Sequence, residues 1–398
     1  MTTFIKYSSS VIRRQFKNLF PTTGEFNLNT TSKRIDFNLD YGDLFAASGW
    51  EYSLNASLVN TDGTAYQATT GKNIEISDNF VPFLFSRIEL KINNQIADEA
   101  DYPGITSTVK SVVSCNQSDA YTLKNNCFFM DKGTLSANVT GKVSHLGLGF
   151  CDFPTPLPRG MVTLTFLRTG DNDAIYSDDT KPIKLVISDF IIRVPLLDYE
   201  PLAKTQLVEE LLHTPNIYSF LKWTTIQKHD VFGSAWIFDA TTLYTGSGIP
   251  LFIIVSFQKG REDNLASSAR KFHTVNVRNV KVKLNDLLYP EEDLKLSFKN
   301  ERYSLAYEMY KDFRIVNYYD SDVLMDPALF KKCPIFVIDT TDHSKPLTFS
   351  QTNIVIKADF EEPIKEKGVT PYDTFVHSSS FSHDILRNTI THLVQKSH

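Results

Sequence analysis

Apolar and polar residues alternate along several stretches of the first half of the chain. Ile35, Phe37 and Leu39 alternate with charged and amide residues, and the same period returns over residues 50–58. Strict alternation is typical of a strand that buries one face. Short strands separated by polar turns favour a sandwich or a barrel. Further strands are predicted over residues 85–93, 160–167 and 181–194, with a tight turn at Asn93-Asn94.

The second half repeats this pattern of short strands and polar turns, and it adds a run that is predicted to be more deeply buried. Residues 251–257 are apolar without alternation, which fits a strand that is covered on both faces. The other strands of this half are predicted over residues 223–227, 234–243, 271–284, 333–341 and 352–363. The order is therefore strands, a linker and strands again.

Helical spacing interrupts the strands in a few places. Residues 201–214 begin with Pro201 at a favourable first helical position and carry an apolar stripe, which predicts a linker helix. Residues 300–313 predict a second helix whose regularly spaced tyrosines pack in the core. Residues 102–117 are compatible with a third helix. The end of the chain predicts a short amphipathic helix, with an apolar side formed by Ile385, Leu386, Ile390 and Leu393.

Composition narrows the class of protein. The net charge is −5 and the pI is near 6.0, which argues against a surface coated for binding nucleic acid. The four cysteines have no CxxC spacing, so reduced, semi-buried thiols are expected rather than a disulfide framework or a zinc site. The sequence contains no run of about 18 apolar residues, so no transmembrane helix is predicted.

The first twenty-two residues differ in charge from the acidic remainder. They contain Lys6, Arg13, Arg14 and Lys17, and no acidic residue occurs before Glu25. A mitochondrial presequence has a similar composition, but a flexible basic arm that contacts a neighbour or an anionic surface is the preferred interpretation. These four residues are the candidate inner-surface or neighbour contacts.

No motif predicts catalysis. The histidines of 377–383 lack metal-ligand spacing, and that segment is interpreted as a tail. Gly246-Ser247-Gly248 lacks the setting of a nucleophile elbow, and no glycine-rich turn leads into a phosphate loop. We therefore predict no catalytic residue, no cofactor, no metal and no small-molecule substrate, and a protein that acts by packing and assembly.

The order of these segments resembles one family, the double jelly-roll major capsid proteins of the Polinton and adintovirus lineage. The major capsid proteins of virophages and large DNA viruses resemble it more distantly. Each motif is individually weak, and the specific signal is that the motifs are collinear. The resemblance is carried by residues 79–98, 127–133, 186–218, 248–257, 277–290, 333–341 and 354–363, and by the helix around Tyr307.

The resemblance implies an all-β fold of two consecutive eight-stranded antiparallel jelly rolls with a few short helices. The implied domains are a basic N-terminal arm (1–22), a first jelly roll (23–200), a linker helix (201–215), a second jelly roll (216–363) and a C-terminal tail with the amphipathic helix (364–398). The implied function is that of a major capsid protein, whose homotrimers form pseudo-hexameric capsomers that tile an icosahedral shell.

The same resemblance implies partners and a location. The partners are the chain itself, then penton and minor capsid proteins, and packaged DNA through the N-terminal arm. The location is the virion capsid, assembled in the cytoplasm or nucleus of the host cell without secretion. Two alternatives stay open: a glycan-processing amidase on a paired jelly-roll scaffold, and a receptor- or glycan-binding vertex protein.

Overall fold

The strands of the protein follow the alternating segments of its sequence. A computed structural model describes the chain over residues 11–22, 34–41, 44–67, 71–153, 156–157, 160–179, 181–213, 216–228, 231–246, 248–260, 264–341, 352–365, 368–385, 387 and 389–393. Neighbouring strands pair antiparallel, as β10 (Gly160–Arg168) does with both β2 (Arg34–Tyr41) and β6 (Phe85–Ile92).

Two compact units contain these strands. Unit 1 comprises residues 1–104, 124–222 and 379–393, and unit 2 comprises residues 105–123, 223–378 and 394–398. The remaining strands in the first half are β1 (Val11–Leu19), β3 (Leu44–Ala46), β4 (Glu51–Asn60), β5 (Ile74–Ile76), β7 (Gln95–Asp101), β8 (Ser136–Lys142), β9 (Pro156–Leu157), β11 (Ile175–Ser177) and β12 (Ile183–Tyr199).

The second half continues the numbering of strands. Its strands are β13 (Asn216–Gln227), β14 (Gly233–Asp239), β15 (Phe252–Lys259), β16 (Val277–Leu284), β17 (Leu287–Tyr289), β18 (Phe336–Asp339), β19 (Ile354–Ile364), β20 (Val369–Asp384) and β21 (Thr389–Leu393). The helices are α1 (Phe80–Phe83), α2 (Pro103–Ser114), α3 (Ala120–Asn125), α4 (Pro201–His213), α5 (Ser304–Tyr318) and α6 (Pro327–Lys332), with 3-10 turns at Gln117–Asp119, Val143–Leu146 and Phe150–Asp152.

Unit 1 is built on two facing sheets. One has the order β8-β4-β12-β3-β9 with β1 also paired to β12, and the other has the order β2-β10-β6-β7. Phe190 of β12 joins the two sheets, because its ring lies 5.0 Å from that of Phe37 in β2 and 5.1 Å from that of Phe166 in β10. Edge-to-face aromatic pairs of this kind add to the free energy gained from burial.

Unit 2 is also a two-layered β structure. Its sheets have the orders β13-β20-β15-β18 and β14-β19-β16-β17, and it contains β13 from residue 223 onward and β20 up to residue 378. Phe257 of β15 contacts Trp236 of β14 and Phe360 of β19, with ring centroids 6.0 and 5.8 Å apart. The run 251–257, expected to be covered on both faces, is buried along β15 from Phe252 to Phe257, which confirms that prediction.

Several local predictions are confirmed. A helix, α4, forms where the linker helix was predicted, and helices also form at α2 and α5. Asn93 and Asn94 have φ values of 50° and 63° and connect β6 to β7, the geometry of a tight hairpin turn. Asparagine tolerates this left-handed conformation better than most residues, so the turn needs no glycine.

The prediction for the end of the chain is wrong. The region 364–398 is not a tail with an amphipathic helix, because β20 and β21 occupy most of it and pair with each other. Ile390 is buried within β21, and Ile385 is half-buried beside α4, whereas Leu386 lies outside the described residues. Over so short a segment, apolar residues at this spacing fit the period of a helix as well as that of a strand. Pairing with β20 stabilises the strand.

Candidate assembly surface

The described part of the predicted basic arm is an edge strand. Residues Val11–Leu19 form β1, which pairs with β12 over the register from Val11 opposite Tyr199 to Leu19 opposite Ile192. Leu19 is buried, and this anchors the end of the strand. The expectation of a flexible arm is therefore wrong for this segment, because its backbone completes a sheet. Lys6 lies outside the described residues.

Side chains also hold β1 in place. Gln15 donates a hydrogen bond from Nε2 to Oδ2 of Asp198, at 2.8 Å. The guanidinium of Arg193 lies over the Phe16 ring, 4.8 Å from its centroid, and also pairs with Glu51 at 3.0 Å. A cation over an aromatic face adds a modest attraction at such a half-exposed site.

The strand presents cations and aromatic rings to solvent. Arg13, Arg14 and Lys17 are exposed, as are Phe16 and Phe20. We call these five residues the β1 surface. The structure thus brings three of the four predicted contact residues onto one strand. The sequence did not indicate the two aromatic residues as part of this surface, although their place among the basic residues could have done so.

A second exposed apolar surface lies at the end of α5 in unit 2. Ile315, Val316 and Tyr318 are each nearly half exposed, and Tyr319, which caps the helix with a φ of 54°, is 95% exposed. We call these four residues the Tyr319 surface. Contiguous exposed apolar side chains on a soluble protein mark interaction sites more often than isolated ones do. Sequence reasoning missed this surface, because it ended the helix at Phe313.

Buried polar contacts fix the position of this helix end. Arg314 is buried, donates to Asp320 at 2.5 Å and donates to the carbonyl oxygen of Ser114. Asn116 donates to the same Asp320 carboxylate at 3.2 Å. The Arg314 guanidinium also lies 5.1 Å from the centroid of Tyr318. The contacts of Arg314 and Asp320 therefore fix the backbone that carries the Tyr319 surface.

The described residues offer little reactive chemistry. They contain no group of three or more His, Cys, Asp or Glu residues that could hold a metal ion. The four cysteines, all within the described ranges, form no disulfide, and burial raises the pKa of Cys127 to about 12, so its thiol stays protonated. His377 and His383, expected in a tail, are instead buried in β20. No helix in the described ranges is long and apolar enough to cross a membrane.

Comparison with known proteins identifies the family. A family model described as a double jelly roll-like domain matches residues 74–379. The chain belongs to the double jelly roll-like domain family. The predicted all-β class with two jelly rolls is therefore confirmed, and each unit contributes sheets to this double jelly roll. No curated protein matches the sequence.

Solved structures of viral capsid proteins share this double jelly roll over most of their length. VP54 of PBCV-1, fitted into a reconstruction of the virophage Sputnik, has 8% identity and a TM-score of 0.60, covering 96% of this chain and 97% of VP54. The mavirus major capsid protein has 10% identity and a TM-score of 0.53, with 95% and 90% covered. The Faustovirus major capsid protein has 9% identity and a TM-score of 0.57, with 92% and 90% covered. At such identities the likeness establishes the fold.

Proposed function

We propose that this double jelly-roll protein is a viral major capsid protein, whose copies associate as trimers and tile an icosahedral shell. The observation that carries the proposal is the near complete, reciprocal coverage between this chain and capsid proteins such as PBCV-1 VP54. A partial match would leave room for a different domain with its own activity. Here the shared fold covers almost all of this chain and almost all of VP54.

The physical logic of such an assembly suits a chain with two jelly rolls. Three copies supply six jelly rolls, so one gene product makes a six-sided tile with closed symmetry. Closed symmetry also covers strand edges that would otherwise template aggregation. Permanent interfaces of this kind bury on the order of 2,000 Å² or more.

Both exposed surfaces have a role in the proposal. The Tyr319 surface supplies apolar side chains of the kind that interfaces between copies bury. The β1 surface supplies cations for an anionic partner, such as a neighbouring copy, a minor capsid protein or packaged DNA. The protein would act in the virion shell after assembly inside the host cell, as a structural component and not as an enzyme.

Light scattering of the purified chain tests the trimer. We expect a stable species of about three times 45.2 kDa at micromolar concentration, and triangular or hexagonal tiles by negative-stain microscopy. A monomer that persists at these concentrations would rule out the proposed building block.

A pair of tyrosine variants tests whether the Tyr319 surface takes part. Tyr319→Lys places a charge at a position that the proposal covers with a second copy, and we expect the trimer to dissociate. Tyr121→Lys is the matched control, because Tyr121 is also exposed (87%) and lies outside this surface. Equal trimer yields from both variants would remove the Tyr319 surface from the interface.

A further inference from the structure

An acidic side chain lies in the interior of unit 2 without a partner. Asp373, in the middle of β20, is fully buried (0% exposed). Neither of its carboxylate oxygens has a hydrogen-bond partner in the part of the chain that the structure describes. Buried carboxylates in proteins are nearly always paired or hydrogen-bonded, so this one needs an explanation.

The register of β20 shows which way this side chain points. Asp373 lies directly opposite Val255 of β15, and residues opposite each other in an antiparallel pair share one face. Phe257, two residues further along β15, is on the same face and contacts Trp236 and Phe360 of the other sheet. The carboxyl therefore points into the apolar space between the two sheets of unit 2.

The elements around this space contribute few groups that could hold a charge. The inward residues of β15, β18, β14 and β19 are apolar or aromatic in the described ranges. On the face shared with Asp373, the titratable groups are His377 of β20 and Tyr244, whose rings lie 5.4 Å apart. Lys228, which directly follows β13, places its ammonium over the Phe238 ring, 4.9 Å from the centroid.

This environment favours the neutral acid. Burial raises the pKa of Asp373 well above its ordinary value, and within the described ranges neither carboxylate oxygen accepts a hydrogen bond that would oppose this effect. Burial also raises the pKa of the Tyr244 hydroxyl, so that group carries no charge near neutral pH. A carboxylate formed here would be an unpaired charge in a dry interior, which folded proteins avoid.

We propose that Asp373 is a pH-sensitive switch inside the second jelly roll: unit 2 stays closed while this carboxyl keeps its proton, and opens when the proton is lost to solvent. The proposal concerns the single chain, so it does not depend on the capsid function. If the chain does build a shell, mild alkali would weaken each copy from within.

The direction of the effect follows from proton linkage. The folded state binds this proton more tightly than the unfolded state does. Stability is therefore fully present at acidic pH and is lost as pH rises from the ordinary pKa of an aspartate towards the raised value. In that window a single proton changes the folding equilibrium constant by up to about tenfold per pH unit.

Urea unfolding of the full chain at several pH values tests the switch. Tryptophan fluorescence can report on unit 2 in a Trp50→Phe background, because the other two tryptophans, Trp223 and Trp236, both lie in unit 2. We expect the folding equilibrium constant to fall by up to about tenfold per unit as pH rises above the ordinary pKa of an aspartate. Asp373→Asn should remove this slope, because the amide does not ionise.

A matched variant and a direct measurement complete the test. Asp359→Asn changes an exposed aspartate of β19 in the same unit and should keep the slope. Asp373→Val, which matches the apolar surroundings, replaces Asp373→Asn if the amide prevents folding. The infrared carbonyl band of a protonated acid, assigned with isotope-labelled aspartate, should persist above the ordinary pKa of an aspartate. A parallel slope in the Asp373 and Asp359 variants, or absence of that band, would overturn the proposal.

Discussion

Arg168 and Asp171 form an ion pair inside unit 1, with 2.5 Å between Nη2 and Oδ1. Their side chains are only 1% and 8% exposed, and the second carboxylate oxygen accepts a hydrogen bond from the backbone N–H of Leu185 at 3.0 Å. Burial lowers the pKa of Arg168, and the neighbouring carboxylate opposes that shift. The pair therefore holds its charges by mutual neutralisation in a desolvated site.

Breaking this ion pair should destabilise unit 1 strongly. Asp171→Ala leaves a buried guanidinium without a counter-charge, and we expect a loss of about 3–5 kcal/mol in the free energy of unfolding. The double variant Arg168→Met, Asp171→Leu should lose less than either single change, because it leaves no buried charge. Chemical denaturation measures both. Glu362→Gln, in an exposed pair with Lys299, is the control and should cause no measurable change.

Tyr310 links three segments of unit 2 through its hydroxyl. It donates to the carbonyl oxygen of Val112 at 2.9 Å and accepts from the N–H of Met325 at 3.1 Å. Tyr310→Phe keeps the ring and orphans two buried backbone groups, so we expect a loss of about 1–3 kcal/mol by denaturation. Tyr319→Phe at the exposed helix end should leave stability unchanged. Equal stabilities of the two variants would show that these bonds contribute nothing.

Gly149 is a position where no other residue fits. A Cβ added there would lie 1.7 Å from the carbonyl oxygen of Leu221, a backbone atom that cannot rotate away. Gly149→Ala should therefore cost about 3 kcal/mol or more, or prevent folding of unit 1. Gly170→Ala is the matched control, because its added Cβ would meet nothing within 4 Å. Thermal unfolding of the two variants should differ by several degrees.

The sequence predicted the paired strands well, because alternation over eight or more residues leaves little choice of period. It located β2, β4, β6 and β10 and the hairpin at Asn93-Asn94. It failed at the C-terminus, where Ile385 and Ile390 fit a helix as well as a strand. The deciding interaction comes from far along the chain: the N–H of Ile390 donates to Oε1 of Gln95 at 2.6 Å.

The candidate surfaces were only partly visible in the sequence. Charge alone marked Arg13, Arg14 and Lys17, since no acidic residue interrupts that segment. The strand β1 pairs with β12, a partner nearly 180 residues away along the chain. The local pattern of residues 11–19 cannot show such a pairing. Asp373 was likewise hidden, because a single aspartate in a strand is usually exposed, and only the register of β20 places it inward.

Protonation of His383 should weaken unit 1 in acid. This histidine of β20 is buried; its Nδ1 has no partner among the described residues, and its Nε2 lies 3.5 Å from Nδ2 of Asn93. Burial lowers the pKa of His383, and Asp384 opposes the shift only in part. The unfolded state then binds the proton better, so stability is present above the ordinary histidine pKa and is lost as pH falls below it.

Urea unfolding between about pH 4 and about pH 7 checks this prediction in a Trp223→Phe, Trp236→Phe background, in which Trp50 alone reports on unit 1. This background, with His383 intact, should lose up to about tenfold in its folding equilibrium constant per pH unit. His383→Gln should abolish that slope, and His392→Gln, at an exposed position of β21, should keep it. The sign is opposite to that expected for Asp373, so acid weakens unit 1 and alkali weakens unit 2. A slope that survives in His383→Gln would assign the acid sensitivity to another group.

The β1 surface should bind polyanions in a salt-dependent way if its proposed partner is packaged DNA. Replacing Arg13, Arg14 and Lys17 with glutamine removes three exposed cations without changing the pairing of β1. We expect weaker binding to duplex DNA in fluorescence anisotropy, and a slope of log affinity against log salt that is smaller by about three. Glutamine at Lys132, Lys142 and Lys357 removes the same charge from exposed positions elsewhere and should leave the slope close to that of the wild type. If both triple variants bind duplex DNA with the same affinity and salt dependence, the cations of β1 do not contact DNA. Loss of trimers or tiles in the Arg13, Arg14 and Lys17 variant alone would then show that these cations contact a protein neighbour.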